Sequence, residues 1–253
     1  MPPERHIRIQ RTRAARGCDL PPPFRLVSLR EVGDALAYAR AHAAELGAGT
    51  LITVGRFDLA EFAVVLEPDE AFALAWRALY AGMLALADAL ATVAPPKTPI
   101  AIEWPDAIRI GGGPVGGGRL AWPDGVDAAE PPPWLVFGAM IRTVSMAPDG
   151  SGVRPLSNAW DDEAFAQDGA DRLIESFARH FMGLIDRWQE AGFAAIADTY
   201  ISRLASRQGE RHAIGEDGDL LVSRIGKAAE RCRLQPVLVA PSWLDPASGG
   251  PRG

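Results

Sequence analysis

The segment Ala101-Ile102-Glu103-Trp104-Pro105-Asp106-Ala107-Ile108, followed by Gly111-Gly112-Gly113-Pro114-Val115-Gly116-Gly117-Gly118, decides how this chain is read. An apolar β-type run enters a Trp-Pro corner, ends on a carboxylate and gives way to nearly bare backbone. Without Cβ atoms in the way, peptide N–H and C=O groups can come close to a small polar ligand.

The pattern extends outward on both sides. Upstream, Val32, Leu36, Ala39, Ala43 and Leu46 recur at helical spacing, with Gly47 and Gly49 as the stop. Thr50 to Val54 reads as a buried strand turning at Gly55-Arg56, and Glu61 to Leu66 as its neighbour, closed by Pro68. Asp69 is placed to cap a long helix whose stripe is Phe72, Trp76, Leu79, Met83, Leu86 and Leu90. Around the corner itself, Ile100 to Trp104, Ala107 to Ile110 and Val115 to Trp122 read as strands. Trp134 to Val144 reads as a central strand, and Met146 to Gly169 as polar and irregular. An amphipathic helix then runs through Ile174, Phe177, Phe181, Leu184 and Trp188, is broken by Gly192, and is followed by a shorter helix to about Leu204. Beyond it, Asp217-Gly218 marks a hairpin turn between short β-type runs, among them Leu220 to Ile225 and Leu234 to Ala240. The expected organisation is a flexible arm over residues 1–23, a main domain over 24–206, a small C-terminal β domain over 207–245 and a loose Pro/Gly-rich tail over 246–253.

Composition narrows the class. The chain has 253 residues, 48% hydrophobic and 23% charged, enough to bury a sizeable core. A net charge of −6 argues against nucleic acid as the main partner. The apolar stretch Phe72 to Leu90 is interrupted by Arg77, Gly82 and Asp88 and reads as a core helix, so no membrane partner is expected. Cys18 and Cys232 are far apart, and the histidines (His6, His42, His180, His212) show no ligand spacing, so no metal site is assigned. The Arg-rich N-terminus has no apolar signal core, and a cytoplasmic location is expected.

The order of these motifs resembles the biotin/lipoate protein ligase family. Ala43-Ala44-Glu45-Leu46-Gly47-Ala48-Gly49-Thr50-Leu51 is similar to the family's approach to its Gly-Arg loop, with Gly55-Arg56 in the loop. Glu103-Trp104-Pro105-Asp106 resembles the KWPND motif, and Trp134 to Ile141 the strand bearing the GxGIN segment. Glu175 to Tyr200 resembles the closing helical pair, and Ile214 to Val222 the opening of an SH3-like barrel. The resemblance implies an α/β (α+β) fold, a mixed central sheet packed by helices as in class II synthetase-like ligases, with an SH3-like appendage. It also implies a small carboxylic-acid ligand (lipoate, octanoate or biotin type) or its adenylate, ATP and Mg²⁺ as cofactors, a lipoyl or biotinyl carrier domain as partner, and a homodimer as an accessible assembly. The candidate ligand-binding residues are Arg56, Trp104, Asp106, Gly116, Gly117, Gly118 and Arg142.

The chain departs from the family where the chemistry is concentrated. Glu103 stands in place of the motif's lysine, Asp106 in place of its Asn, and Ala107 in place of its last carboxylate. Counting on to the family's hairpin lysine gives Pro114, which has neither charge nor donor. The phosphate loop is shortened to Gly55-Arg56-Phe57-Asp58. No catalytic residue is therefore assigned. Simpler readings stand beside the functional ones: Asp106 as a turn cap, Arg56 as a surface residue, Arg142 in a salt bridge, and the glycines as a flexible hairpin.

Overall fold

A computed structural model describes residues 18–30, 33–56, 58–94, 96–143, 162–205 and 208–252. Phe57, Val32, most of the arm read over 1–23, and residues 144–161, which include the end of the strand read to Val144 and most of the stretch read as irregular (Met146 to Gly169), lie outside them.

A seven-stranded mixed sheet organises the chain in the order β1-β2-β3-β7-β6-β5-β4. Its strands are β1 (Arg25–Leu29), β2 (Thr50–Gly55), β3 (Leu59–Leu66), β4 (Ile100–Glu103), β5 (Ala107–Ile110), β6 (Gly113–Ala121) and β7 (Leu135–Arg142). Among the described strands of this sheet, β1 and β2 pair in parallel and are joined through helix α1 (Ala35–Leu46), and the other strand pairs are antiparallel. The expected mixed sheet packed by helices is present.

The strand period of two separates two unlike faces. Phe62, Val64, Leu120, Phe137, Ala139 and Ile141 face the main core, formed with α3 (Ala78–Val93), α4 (Asp162–Ala191) and α5 (Phe193–Arg203). The central helix α3 is buried on nearly every side, because it lies against the sheet with α4 and α5 packed on it. Its Gly82 sits over Phe137, and a Cβ there would come within 2.3 Å of the ring. On the other face, α1 lays Ala35, Ala39 and Ala43 against Ile52, Val54, Ala63, Val65 and Val136. Small side chains on α1 let it sit close to the strands.

Several expectations need correction. The stripe read as one helix is two, α2 (Phe72–Ala75) and α3, and the cap before α2 is Ala71 without a side-chain bond, not Asp69. The break lets the nearly buried Arg77 pair with Glu70, donate to the Glu216 carbonyl and lie over the Phe193 ring at 4.5 Å. Helix α4 starts at Asp162, inside the stretch read as irregular. The run Leu234 to Ala240 is not a strand: its first part is helix α6 (Leu234–Leu238). Where the small C-terminal β domain was expected, the described residues form a three-stranded antiparallel sheet, β10-β9-β8, from β8 (Glu210–Ile214), β9 (Leu220–Arg224) and β10 (Glu230–Cys232). The β8–β9 hairpin turns through Gly218 (φ 85°), in the left-handed region that favours glycine. The described part of the tail read as loose closes on itself, with Leu244 bridged to Pro251, and reaches the main sheet where the Pro251 carbonyl accepts from Arg142.

Candidate functional site

The Trp-Pro corner joins β4 to β5, and the glycines lie on β6 as a strand, not a free loop. One register row crosses the sheet through Val54, Glu61, Met140, Gly117 and Ala107. This row continues the α1 face beyond the helix's N-terminal end. The other face is filled with aromatic core, so this strip is where the sheet meets the candidate site residues.

The three glycines have different roles. A Cβ at Gly118 would meet Met83 Sδ and the Phe137 ring at 2.7 Å, so Gly118 serves the main core. At Gly116 (φ 142°) it would stand 1.9 Å from the Met140 carbonyl oxygen. At Gly117 it would lie 1.9 Å from the Asp106 carbonyl oxygen and 2.5 Å from the Trp243 indole. Only Gly117 therefore opens onto the strip, and the group resting on it belongs to the chain's own C-terminal segment.

Asp106 is 2% exposed. Its carboxylate accepts the Ser242 N–H at 3.1 Å and the Ser242 hydroxyl at 2.6 Å. Burial pushes its carboxyl up to about 6, and the bonds from Ser242 oppose that rise. Arg142, at the end of β7, donates to the Pro251 carbonyl at 2.6 Å. Trp243 is 4% exposed, packs on Ala107 and Met140, and donates its indole N–H to the Gly118 carbonyl at 2.9 Å. Ser242, Trp243 and Pro251 were missed by the sequence reading, and a tryptophan amid a Pro/Gly-rich end was the one signal that could have found them.

The remaining candidates divide. Trp104 packs against the main core and donates its indole N–H to the Tyr80 hydroxyl at 3.0 Å, so it does not line the strip. Arg56 turns back onto Asp58 in a bidentate pair at 2.8 and 3.0 Å, and this guanidinium holds the Asp58 carboxyl below its ordinary range. Arg119 reaches both oxygens of Asp34 at 2.9 Å, while Asp34 also caps α1 by accepting the Ala37 N–H. Between them lies Glu61, 2% exposed, with one carboxylate oxygen accepting the Ala35 N–H at 2.8 Å. Its second oxygen has no partner among the described residues, nor does the Arg119 Nε, and burial raises the Glu61 carboxyl above its ordinary value. Arg109 is tied to Glu103 at 2.6 Å and to the Gly112 carbonyl at 2.8 Å.

Three of the arginines near the glycine strand are thus matched by carboxylates. Arg56, Arg109 and Arg119 sit in ion pairs with Asp58, Glu103 and Asp34. Buried Glu61 and Asp106 add further acid. A polyphosphate would meet cations already compensated, and the two residues that stand where the family has lysines, Glu103 and Pro114, bring none. Among the described residues no group of three or more His, Cys, Asp and Glu side chains could hold a metal ion, and Asp106 directs its oxygens at Ser242. A cavity of about 450 Å³ opens elsewhere, between Phe24, Gly49, Leu66, Phe181 and Ile185, and shares no residue with the strip.

In solved structures, the chain is similar to a biotin protein ligase-like protein of unknown function from Silicibacter sp. TM1040, at 28% identity over 86% of this chain and 97% of that one, with a TM-score of 0.69. It shares its fold with the biotin protein ligase of Aquifex aeolicus, at 14% identity over 83% and 95% of the two chains and a TM-score of 0.61. A structure of that enzyme with biotin and ATP superposes at a TM-score of 0.57, with 14% identity over 81% of this chain and 98% of that one. No curated protein matches the sequence. The model of the biotin/lipoate A/B protein ligase family matches residues 20–202, which runs from just before β1 almost to the end of α5. The chain belongs to the biotin/lipoate A/B protein ligase family.

Proposed function

We propose that this protein binds a carboxylic acid of the lipoate, octanoate or biotin type, or the adenylate of such an acid, on the strip formed by Ala107, Gly117 and Met140. One observation carries the reading. The strip holds a flat apolar ring, the Trp243 indole, on bare backbone, with a hydrogen bond to a strand carbonyl. A ligand with an apolar body and a polar group has the same requirements. Asp106 and Arg142 border the strip as one acidic and one cationic group. In this reading they orient the ligand's polar end, and transfer of the acyl group from the adenylate to the lysine amine of a carrier domain, with AMP leaving, would follow there.

A second reading is favoured by the pairing of the arginines and by Glu103 and Pro114. The protein is then a catalytically inactive relative, a module that binds the ligand or the carrier without adenylation. Its setting in either case is the cytoplasm, and a homodimer through a sheet edge is compatible with it. Isothermal titration with lipoate, biotin, octanoate and their adenylates, with and without Mg-ATP, tests the first reading, which fails if nothing in that panel binds. Pyrophosphate exchange separates the two: ligand-dependent exchange establishes adenylation and eliminates the inactive module.

A further inference from the structure

We propose that residues 241–252 are an internal, displaceable occupant of the ligand strip, so that seating of this segment and binding of a ligand exclude each other. The inference rests on the reading above for where the ligand sits, but its physical basis is independent. Three groups assigned to a ligand are each engaged by the segment: Asp106 by Ser242, the Gly118 carbonyl by Trp243, and Arg142 by the Pro251 carbonyl. Gly117 fits this occupant closely, since a Cβ there would lie 2.5 Å from the indole.

The segment is also built to move as a unit. Its internal bonds close it on itself: Asp245 N–H to the Gly250 carbonyl, Gly249 N–H to the Asp245 carbonyl and Arg252 N–H to the Trp243 carbonyl. Asp245 adds side-chain bonds to the Ala247 N–H and to the Ser248 hydroxyl. Its anchor is a single large side chain, Trp243, in a small cluster with Ala107, Met140 and Leu244 that is separate from the main core. Just before it, Val239 is 76% exposed and Ala240 is exposed, so the connection to α6 holds little buried surface. Low burial at the connection, internal closure and one apolar anchor are what a locally opening unit requires.

The occupant lowers apparent ligand affinity by the fraction of time it is seated; seating for nine-tenths of the time reduces it about tenfold. The test uses the full chain, with Trp243→Ala and, as a milder change, Ser242→Ala, each checked by circular dichroism for an intact fold. A synthetic peptide of residues 238–253 is titrated into Trp243→Ala. Saturable binding, abolished when the peptide carries the same Trp-to-Ala change, supports the inference; no binding to a folded variant overturns it. Ligands from the panel bind the variants about tenfold tighter than the parent chain if the inference holds, and equal affinity overturns it. If no ligand binds any form, the functional reading falls while the peptide titration still decides whether the strip is a receptor for this segment.

Discussion

The two faces of the central sheet are built from different materials. One face stacks Phe137 against Phe177 at 5.7 Å and Phe177 against Phe181 at 5.4 Å, beneath a helix with hardly any exposed side chain. The other places alanines, a bare glycine, two buried carboxylates and a tryptophan from the far end of the sequence. Both exclude water, but burial has different consequences on each. Interdigitated aromatic rings lose dispersion contacts wherever a gap opens, so the first face holds the domain together. Buried carboxylates cost free energy unless every oxygen is satisfied, and among the described residues Glu61 has one oxygen without a partner. The second face therefore gives up stability and gains polar groups next to a removable cover.

That contrast can be broken by measurement. Phe177→Ala should cost about 3–5 kcal/mol in urea unfolding, as expected for a large ring removed from a packed core. Trp243→Ala, although also a buried ring, should cost less than half as much, since its segment opens locally; equal costs would erase the distinction between the faces. The next effect is of acid. Asp106 titrates at about 6 in the folded chain and at about 3.9 when unfolded, so the folded state binds the proton more tightly. Its contribution is complete below about pH 4 and is lost as pH rises through 6, about 3 kcal/mol for a shift of about two pK units. Asp106→Asn should remove this component from the stability–pH profile, and an unchanged slope between pH 4 and 7 would refute it.

Smaller effects follow on the polar face. Asp34→Ala removes the α1 cap and the partner of Arg119, and should cost about 1–2 kcal/mol. Arg40→Ala breaks only an exposed pair with Asp124 and should shift stability by less than about 0.5 kcal/mol, with no response beyond error as salt is raised. A larger loss there would mean that surface charge, too, stabilises this side of the molecule.

The sequence made the first face legible and left the second half-hidden, for a physical reason. Phe177, Phe181 and Leu184 repeat at helical spacing, and β2, β3 and β7 announce themselves as apolar runs, because periodic burial leaves a periodic trace. The strip is assembled from residues with no common period: Ala107, Gly117, Met140 and Trp243 come from four separate segments. Asp106 and Arg142 are placed near it by motif order, while for Trp104 a corner does not say which way its indole turns, and the indole packs on the main core. Leu234 to Ala240 misled for another reason: a short apolar run has no period long enough to tell strand from helix.

The Tyr80 hydroxyl, which takes the Trp104 indole N–H and donates to the Gly218 carbonyl, has one more consequence. It makes a nominal cut after residue 206 a poor place to divide the protein. Removing the small sheet would strand a phenol on the central helix, and would also take away the Glu216 carbonyl that holds Arg77. A fragment limited to the stretch matched by the family model would lose both contacts.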